Sequence, residues 1–301
     1  MKIKTFIVIL LGGILLATSV AYPQLKKRVA VFTFEDKSQQ GWHWWTGGSP
    51  GDGMADMLTT ELVKSGKYVV IERQEISGVM EEQNLGMTGC VTEQSAAQVG
   101  KLLGVELAIM GAVTEFGVSK GGGDVRIKGI GLGTKKESAT VAIDVRMVNT
   151  NTGEILAAEN IRKEESSSGI RISTPKFGFN NRNDFDNSLA GKATRAAIDN
   201  IMELIEAQMQ QLPWEGKVIL TQGSTIYIKP GSDAGVSVGD VFTVYAEGQE
   251  LIDPDTGLSL GSVEQKVGTI KVTGMVSGGK AATAGVVSGS GFKKGDLVRL
   301  N

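Results

Sequence analysis

The chain of 301 residues holds one cysteine, Cys90, and one histidine, His43. A single thiol forms no intramolecular disulfide, and structural zinc needs several Cys or His partners that this sequence does not supply. With the lone histidine and the lone cysteine far apart along the chain, no nucleophile and base can be paired. Acids and lysines remain, but none form a grouping beyond solvated surface charge. The chain is therefore expected to be non-enzymatic and to bind no metal or cofactor. Positive charge is not in excess either. Lys and Arg total 31 against 33 Asp and Glu, a formal net charge of −2, so the basic footprint of a nucleic-acid-binding protein is absent. Long apolar runs are missing too. The charge-free stretch from Phe6 to Leu16 falls well short of the ~20 residues that a membrane-spanning helix requires.

That stretch has another use. Lys2 and Lys4 precede it, and Ser19-Val-Ala21 follows it before Tyr22 and Pro23, which is the layout of a cleavable secretory signal over residues 1–21. No cysteine stands at the expected cleavage site, so a periplasmic protein without a lipid anchor is expected. Removing the signal takes away two lysines and no acid. About 280 residues remain, enough for roughly two domains.

The pattern along the chain supports that division. Val29 to Phe34 alternates as a strand does, and Met54, Met57, Leu58 and Leu62 then recur at helical spacing up to Gly66, a natural stop. Tyr68 to Ile71 reads as a strand. Ile76, Val79 and Met80 mark a second helix, and Thr92 can cap a third, carrying Ala96, Val99, Leu102 and Leu103 on one face. Leu107 to Phe116 returns to strand. Strands alternating with helices predict an α/β or α+β domain over residues 22–213. Into it are set two β-hairpin regions, about 118–147 and 159–187, and a long helix over 188–212. Ile198, Ile201, Ile205, Met209 and Leu212 form the apolar stripe of that helix, and Pro213 ends it. Residues 214–301 read as short strands and turns with an internal echo, Gly235-Val-Ser-Val-Gly-Asp-Val241 against Gly291-Phe-Lys-Lys-Gly-Asp-Leu297. Gly-Asp supplies a tight turn into a strand in each copy, and a small closed or nearly closed β-barrel is expected.

Several segments between Arg28 and Phe116 carry a family resemblance. They are Arg28-Val-Ala-Val-Phe-Thr-Phe-Glu-Asp36, Asp52-Gly-Met-Ala-Asp-Met-Leu-Thr-Thr-Glu-Leu62, Tyr68-Val-Val-Ile-Glu-Arg-Gln74, and Gly100-Lys-Leu-Leu-Gly104 leading into Ile109-Met-Gly-Ala-Val-Thr-Glu-Phe116. In this order and spacing they resemble the periplasmic core of the CsgG family, whose founding members form the outer-membrane pore that exports curli subunits. The C-terminal part resembles the C-terminal domain of the flagellar assembly protein T family. That resemblance rests on the echoed Gly-Asp turns and on Gly216-Lys-Val-Ile-Leu followed by Ile226-Tyr-Ile-Lys-Pro-Gly231.

Two kinds of segment could carry the function. The loop from Gln39 to Pro50 holds Trp42, His43, Trp44 and Trp45. The resemblance implies that these residues line the constriction of a ring-shaped passage, where indoles would stack on a passing polypeptide. A loop folded down to cap its own domain is the alternative. The hairpins are the second kind. In the first, Val125 and Ile127, with Val141, Ile143, Val145 and Met147 on the return, alternate with polar residues. That pattern suits a barrel wall in lipid and suits equally a hairpin packed on a soluble core. In the second, Arg162, Lys163, Glu164 and Glu165 put charge on both faces at the base, so a wall would start near Ser166, with Ile170, Ile172, Phe177 and Phe179 as its apolar residues.

Three motif matches are set aside. Asp255-Thr-Gly257 is a hairpin turn rather than half of a protease dyad. Gly274 to Lys280 has phosphate-loop spacing, but Ala281 replaces the metal-binding hydroxyl and no helix follows. The glycines at 129, 131 and 133 lie between strands.

The resemblance implies a homo-oligomeric subunit that passes secreted polypeptides across the outer membrane, with neighbours side by side and hairpins pooled in one wall. The second expectation is a soluble periplasmic adaptor that docks on other envelope proteins and never enters lipid. Nucleic acid is excluded as a partner in both.

Overall fold

The computed structural model describes residues 25–38, 48–71, 103–127, 130–168, 181–254 and 259–300, together with Ile76, Thr92 and residues 98–99. Within 120–127 and 130–136, and at 168, 250 and 259–261, it describes the backbone course.

Strand β1 (Lys27–Val31) sits inside the first sheet, paired in parallel with β3 (Tyr68–Ile71) on one side and β4 (Leu107–Ile127) on the other. Beyond β4 the sheet turns antiparallel, through β5 (Ile130–Asn149) and β6 (Ile155–Ser168), giving the order β3-β1-β4-β5-β6. The short β2 (Glu35–Asp36) adds in parallel alongside β4. The strand expected to run to Phe34 ends at Val31; the Phe32 N–H still donates to the Ile109 carbonyl at 2.9 Å, and Phe32 and Phe34 both stay buried.

Alternation within each strand divides the core between two faces. On one, Val29, Val31, Leu107, Ile109, Val113, Ile143, Val145 and Met147 pack on Met54, Leu58 and Leu62 of α1 (Pro50–Ser65) and on Ile198, Ile201 and Ile205 of α3 (Leu189–Gln211). On the other, Ala30, Phe32, Ala108, Met110 and Val148 pack with Ile76 and Val99. The expected second and third helices otherwise lie outside the described residues.

Helix α1 starts where its chemistry allows. Ser49 and Asp52 form a reciprocal capping box, Pro50 opens the first turn, and Gly66 closes the helix in the left-handed region at φ 65°. Gly51 permits a close approach, since a Cβ there would lie 2.1 Å from the Phe34 carbonyl oxygen. The short α2 (Arg182–Asp186) leads into α3, whose Ser188 hydroxyl accepts the Gly191 N–H at 2.9 Å. At the far end of α3 the Lys27 ammonium donates to the carbonyls of Met209 and Leu212, placing a cation at the negative end of the helix dipole.

The remaining strands are β7 (Glu215–Gln222), β8 (Thr225–Lys229), β9 (Val241–Ile252), β10 (Ser259–Met275), β11 (Ala282–Gly289) and β12 (Leu297–Leu300). They close into a barrel in the order β10-β11-β8-β7-β12-β9. The Gly-Asp echo is a structural repeat. Gly235 and Gly239 have φ of 87° and 102°, Gly291 and Gly295 have 85° and 100°. Asp240 accepts the Ser237 N–H at 2.8 Å, and Asp296 accepts the Lys293 N–H at 2.7 Å. Each loop then ties to an opposite strand by a matched pair of backbone bonds, one to Val272 at 2.9 and 2.8 Å and the other to Val218 at 2.9 and 2.9 Å. Inside the barrel Trp214 stacks on Phe242, with ring centroids 5.2 Å apart, among Val218, Ile228, Val244 and Ile270. A barrel filled in this way is a packed core and not a conduit.

Candidate functional site: the extended hairpin

Strands β4 and β5 do not stop where the helical layer stops. Their ladder continues without a break to the pair Ile127↔Ile130. The expected hairpin is therefore no separate insertion. It is the outward continuation of two core strands, and the glycines 121–123 stay in register opposite Lys136, Lys135 and Thr134.

One irregularity sets its geometry. Val113 pairs with Ile143 and Glu115 with Ala142, so Thr114 is an extra residue on β4. Such a bulge reverses the parity of everything beyond it and increases the local twist. Val113 and Phe116 consequently lie on the same core face, both fully buried. Without the extra residue, Phe116 would fall on the opposite face.

The same register corrects one expectation. Val141, Ile143 and Val145 have 0 %, 0 % and 2 % of their surface exposed, packed in the core beneath the helices. Residues so enclosed by their own domain cannot form a wall in lipid. The physical reason is periodicity: β5 runs straight, so odd-numbered Val141, Ile143 and Val145 share one face while even-numbered Ile130 and Leu132 take the other. Val125 stands opposite Leu132, and Ile127 opposite Ile130. These four positions form an apolar parity at the distal end, on the reverse face from the apolar residues of the base. Lys120, opposite Glu137, and Asp124 and Arg126, opposite Gly133 and Gly131, hold the other distal parity.

Between core and tip lies a polar belt. On its outer parity Gly117 and Ser119 pair with Thr140 and Ser138, while Val118 and Ala139, on the other parity, still pack on the core. Strand β6 joins it through Glu164, Glu165 and Ser166, opposite Thr140, Ala139 and Ser138. Along β6 beyond buried Ile161, Arg162 and Glu164 are exposed and Lys163 and Glu165 half-buried, which agrees with the charge expected on both faces. Arg162 reaches across the middle strand to Glu115, one nitrogen donating at 3.2 Å and the other also in contact.

Trp42, His43, Trp44 and Trp45, and Ile170, Ile172, Phe177 and Phe179, lie outside the described residues. Ile130 and Leu132 were not singled out from the sequence. The Ile-Gly-Leu alternation that places them beside Val125 and Ile127 was readable there, but only the register aligns it. The bulge at Thr114 had no sequence signal. Among the described residues, no helix is long and apolar enough to cross a membrane.

A mixed sheet, two helices on one of its faces and a ribbon projecting past them define the class, a mixed α/β domain joined to a six-stranded barrel. Residues 14–218 match the family described as curli production assembly/transport component CsgG. The chain belongs to that family. Similar curated proteins are the curli production assembly/transport components CsgG of Salmonella typhimurium and of Escherichia coli K12. Each is 28 % identical over 127 residues, or 40 % of this chain and 46 % of the relative. The chain thus spans about half the length of these curated relatives. A hypothetical protein from Chlamydia trachomatis aligns with 62 % of this chain and 99 % of its own, at 16 % identity and a TM-score of 0.41.

Proposed function

We propose that the chain is the subunit of an oligomeric export assembly that passes secreted polypeptides, of the kind its curli-associated relatives are named for, from the periplasm across the outer membrane. Passage is passive and non-enzymatic. The observation that carries this reading is the β4–β5 ribbon, which leaves the core and gathers Val125, Ile127, Ile130 and Leu132 on one parity at its distal end. From the polar belt to Ile127 a strand rises roughly 30 Å, and when tilted it matches the ~25 Å apolar band of an outer-membrane barrel. The interior of the C-terminal barrel is filled, so a passage has to be built between copies. A few strands per copy close around a channel only when several copies combine. In this reading the Trp42–Trp45 loops converge on the axis, and the C-terminal barrel faces partners in the envelope.

The second reading, a soluble periplasmic adaptor, is favoured by one observation. The described part of β6 beyond Ile161 is polar on both faces, and a charge facing lipid at mid-depth costs ~2–4 kcal/mol. Cell fractionation separates the two readings. Recovery with the outer membrane, released by detergent as a multimer, is expected. Recovery solely as a monomer in the soluble periplasmic extract would leave the adaptor alone.

A further inference from the structure

Where the sheet meets the barrel there is a small cleft of about 100 Å³, with Arg28 and Glu106 on its sheet side and Glu215, Lys217 and Lys229 on its barrel side. Its charges are unevenly matched. Glu215 is engaged by Arg299 and by the Asn151 amide at 3.1 Å, and Lys217 lies 3.6 Å from Glu247. Arg28 and Lys229 have no carboxylate partner within ion-pair distance among the described residues, and Nε of Arg28 is buried with no hydrogen-bond acceptor. Leaving a buried donor unsatisfied is unfavourable, and two cations held near each other in a partly dehydrated cleft repel. Lys229 registers both effects, its ammonium pushed below its ordinary value by burial and then by the charges of Arg28 and Lys217.

We propose that this cleft is a binding site for one tetrahedral oxyanion, a phosphate or sulfate group, held between Arg28 of the sheet and Lys229 of the barrel. The cleft has room for such a group. An oxyanion would give the Arg28 guanidinium its missing acceptor and relieve the repulsion between the two cations by charge-assisted hydrogen bonds. Because the two cations come from different parts of the fold, the anion binds best when sheet and barrel are docked, and so locks the joint.

Two carboxyls line the cleft, Glu215, which Arg299 engages, and Glu106, which has no cation within ion-pair distance among the described residues and opposes an anion directly. Its Oε2 accepts the Arg28 N–H at 2.6 Å, and burial pushes it up to about 7 against the lowering effect of that bond and of the Arg28 charge. The charged groups around it are Lys27 and Arg28 from β1, Glu215 and Lys217 from β7, and Lys229 from β8. Once protonated it no longer repels an anion, so binding strengthens as pH falls. The inference does not depend on whether the hairpin enters lipid.

The test is calorimetric titration of the mature protein with sodium sulfate, with sodium chloride at matched ionic strength as control. Sulfate keeps its charge near neutral pH, so any pH dependence belongs to the protein. Saturable sulfate binding is expected, several-fold tighter at about pH 6 than at about pH 8 and weakened about tenfold in Lys229→Gln. In Glu106→Gln the pH dependence disappears. The proposal is overturned if sulfate and chloride act alike on the wild-type protein, a comparison that needs no variant, or if Lys229→Gln binds sulfate as the wild type does. Repeating the titration with glycerol phosphate separates sources: competition with sulfate assigns the site to the phosphate end of an ester, and its absence assigns it to the free ion.

Discussion

Arg162 on β6 and Glu115 on β4 pair across the intervening strand, over the buried Ala142 that faces both of them in register. Their side chains are 55 % and 40 % exposed, so water and salt compete strongly for both charges. A double-mutant cycle with Arg162→Ala and Glu115→Ala, followed by urea unfolding of the isolated subunit, should give a coupling below about 1 kcal/mol. A coupling well above that in the assembled form but not in the subunit would place the pair at a contact between copies.

The core assignment of the ribbon base gives a stronger effect. Ile143 is fully enclosed beneath the helices, and Ile143→Ala should cost about 2–5 kcal/mol in denaturant unfolding of the purified protein. A residue of a lipid-facing wall would show almost no change in that measurement.

The distal parity is predicted to behave in the opposite way. Val125→Lys or Leu132→Lys should leave the melting temperature of the purified protein within about 1 °C of the wild type. The same changes should reduce co-flotation with liposomes, because a lysine on a lipid face costs ~2–4 kcal/mol at mid-depth. Unchanged flotation would remove these positions from any membrane contact.

The contrast between those two variants also marks how much of the molecule was legible in its residues. Helix α1 was readable because Met54, Leu58 and Leu62 keep a 3.6 period and Gly66 stops it. The closed barrel was readable because the two Gly-Asp turns repeat in sequence as they do in space, each aspartate accepting from the backbone three residues earlier. The ribbon was legible as an alternation and misread as a single apolar face. Alternation records the parity of each strand, but not which face of the finished sheet the helices cover. That depends on the α3 stripe lying over Val141 and Ile143, a contact between segments far apart in the chain. The bulge at Thr114 was hidden for a similar reason, since one extra residue becomes visible only against the partner strand.

The buried carboxyl at the joint makes stability depend on pH. Glu106 is raised in the folded state to about 7, above its unfolded value, so its contribution is complete below the ordinary carboxylate range and is lost as pH rises to about 7 and beyond. The subunit should therefore melt higher near pH 5 than near pH 8, with a total change of about 3 kcal/mol at most. Thermal scans in a chloride buffer check this, and Glu106→Gln should flatten the dependence and melt above the wild type at the alkaline end.

The most direct test of the central claim, that copies pool their ribbons around a shared passage, is electron microscopy of the negatively stained, detergent-extracted protein. Ring-shaped particles with a central hole are predicted. Solitary particles without a hole, from protein that also fails to associate with liposomes, would contradict it.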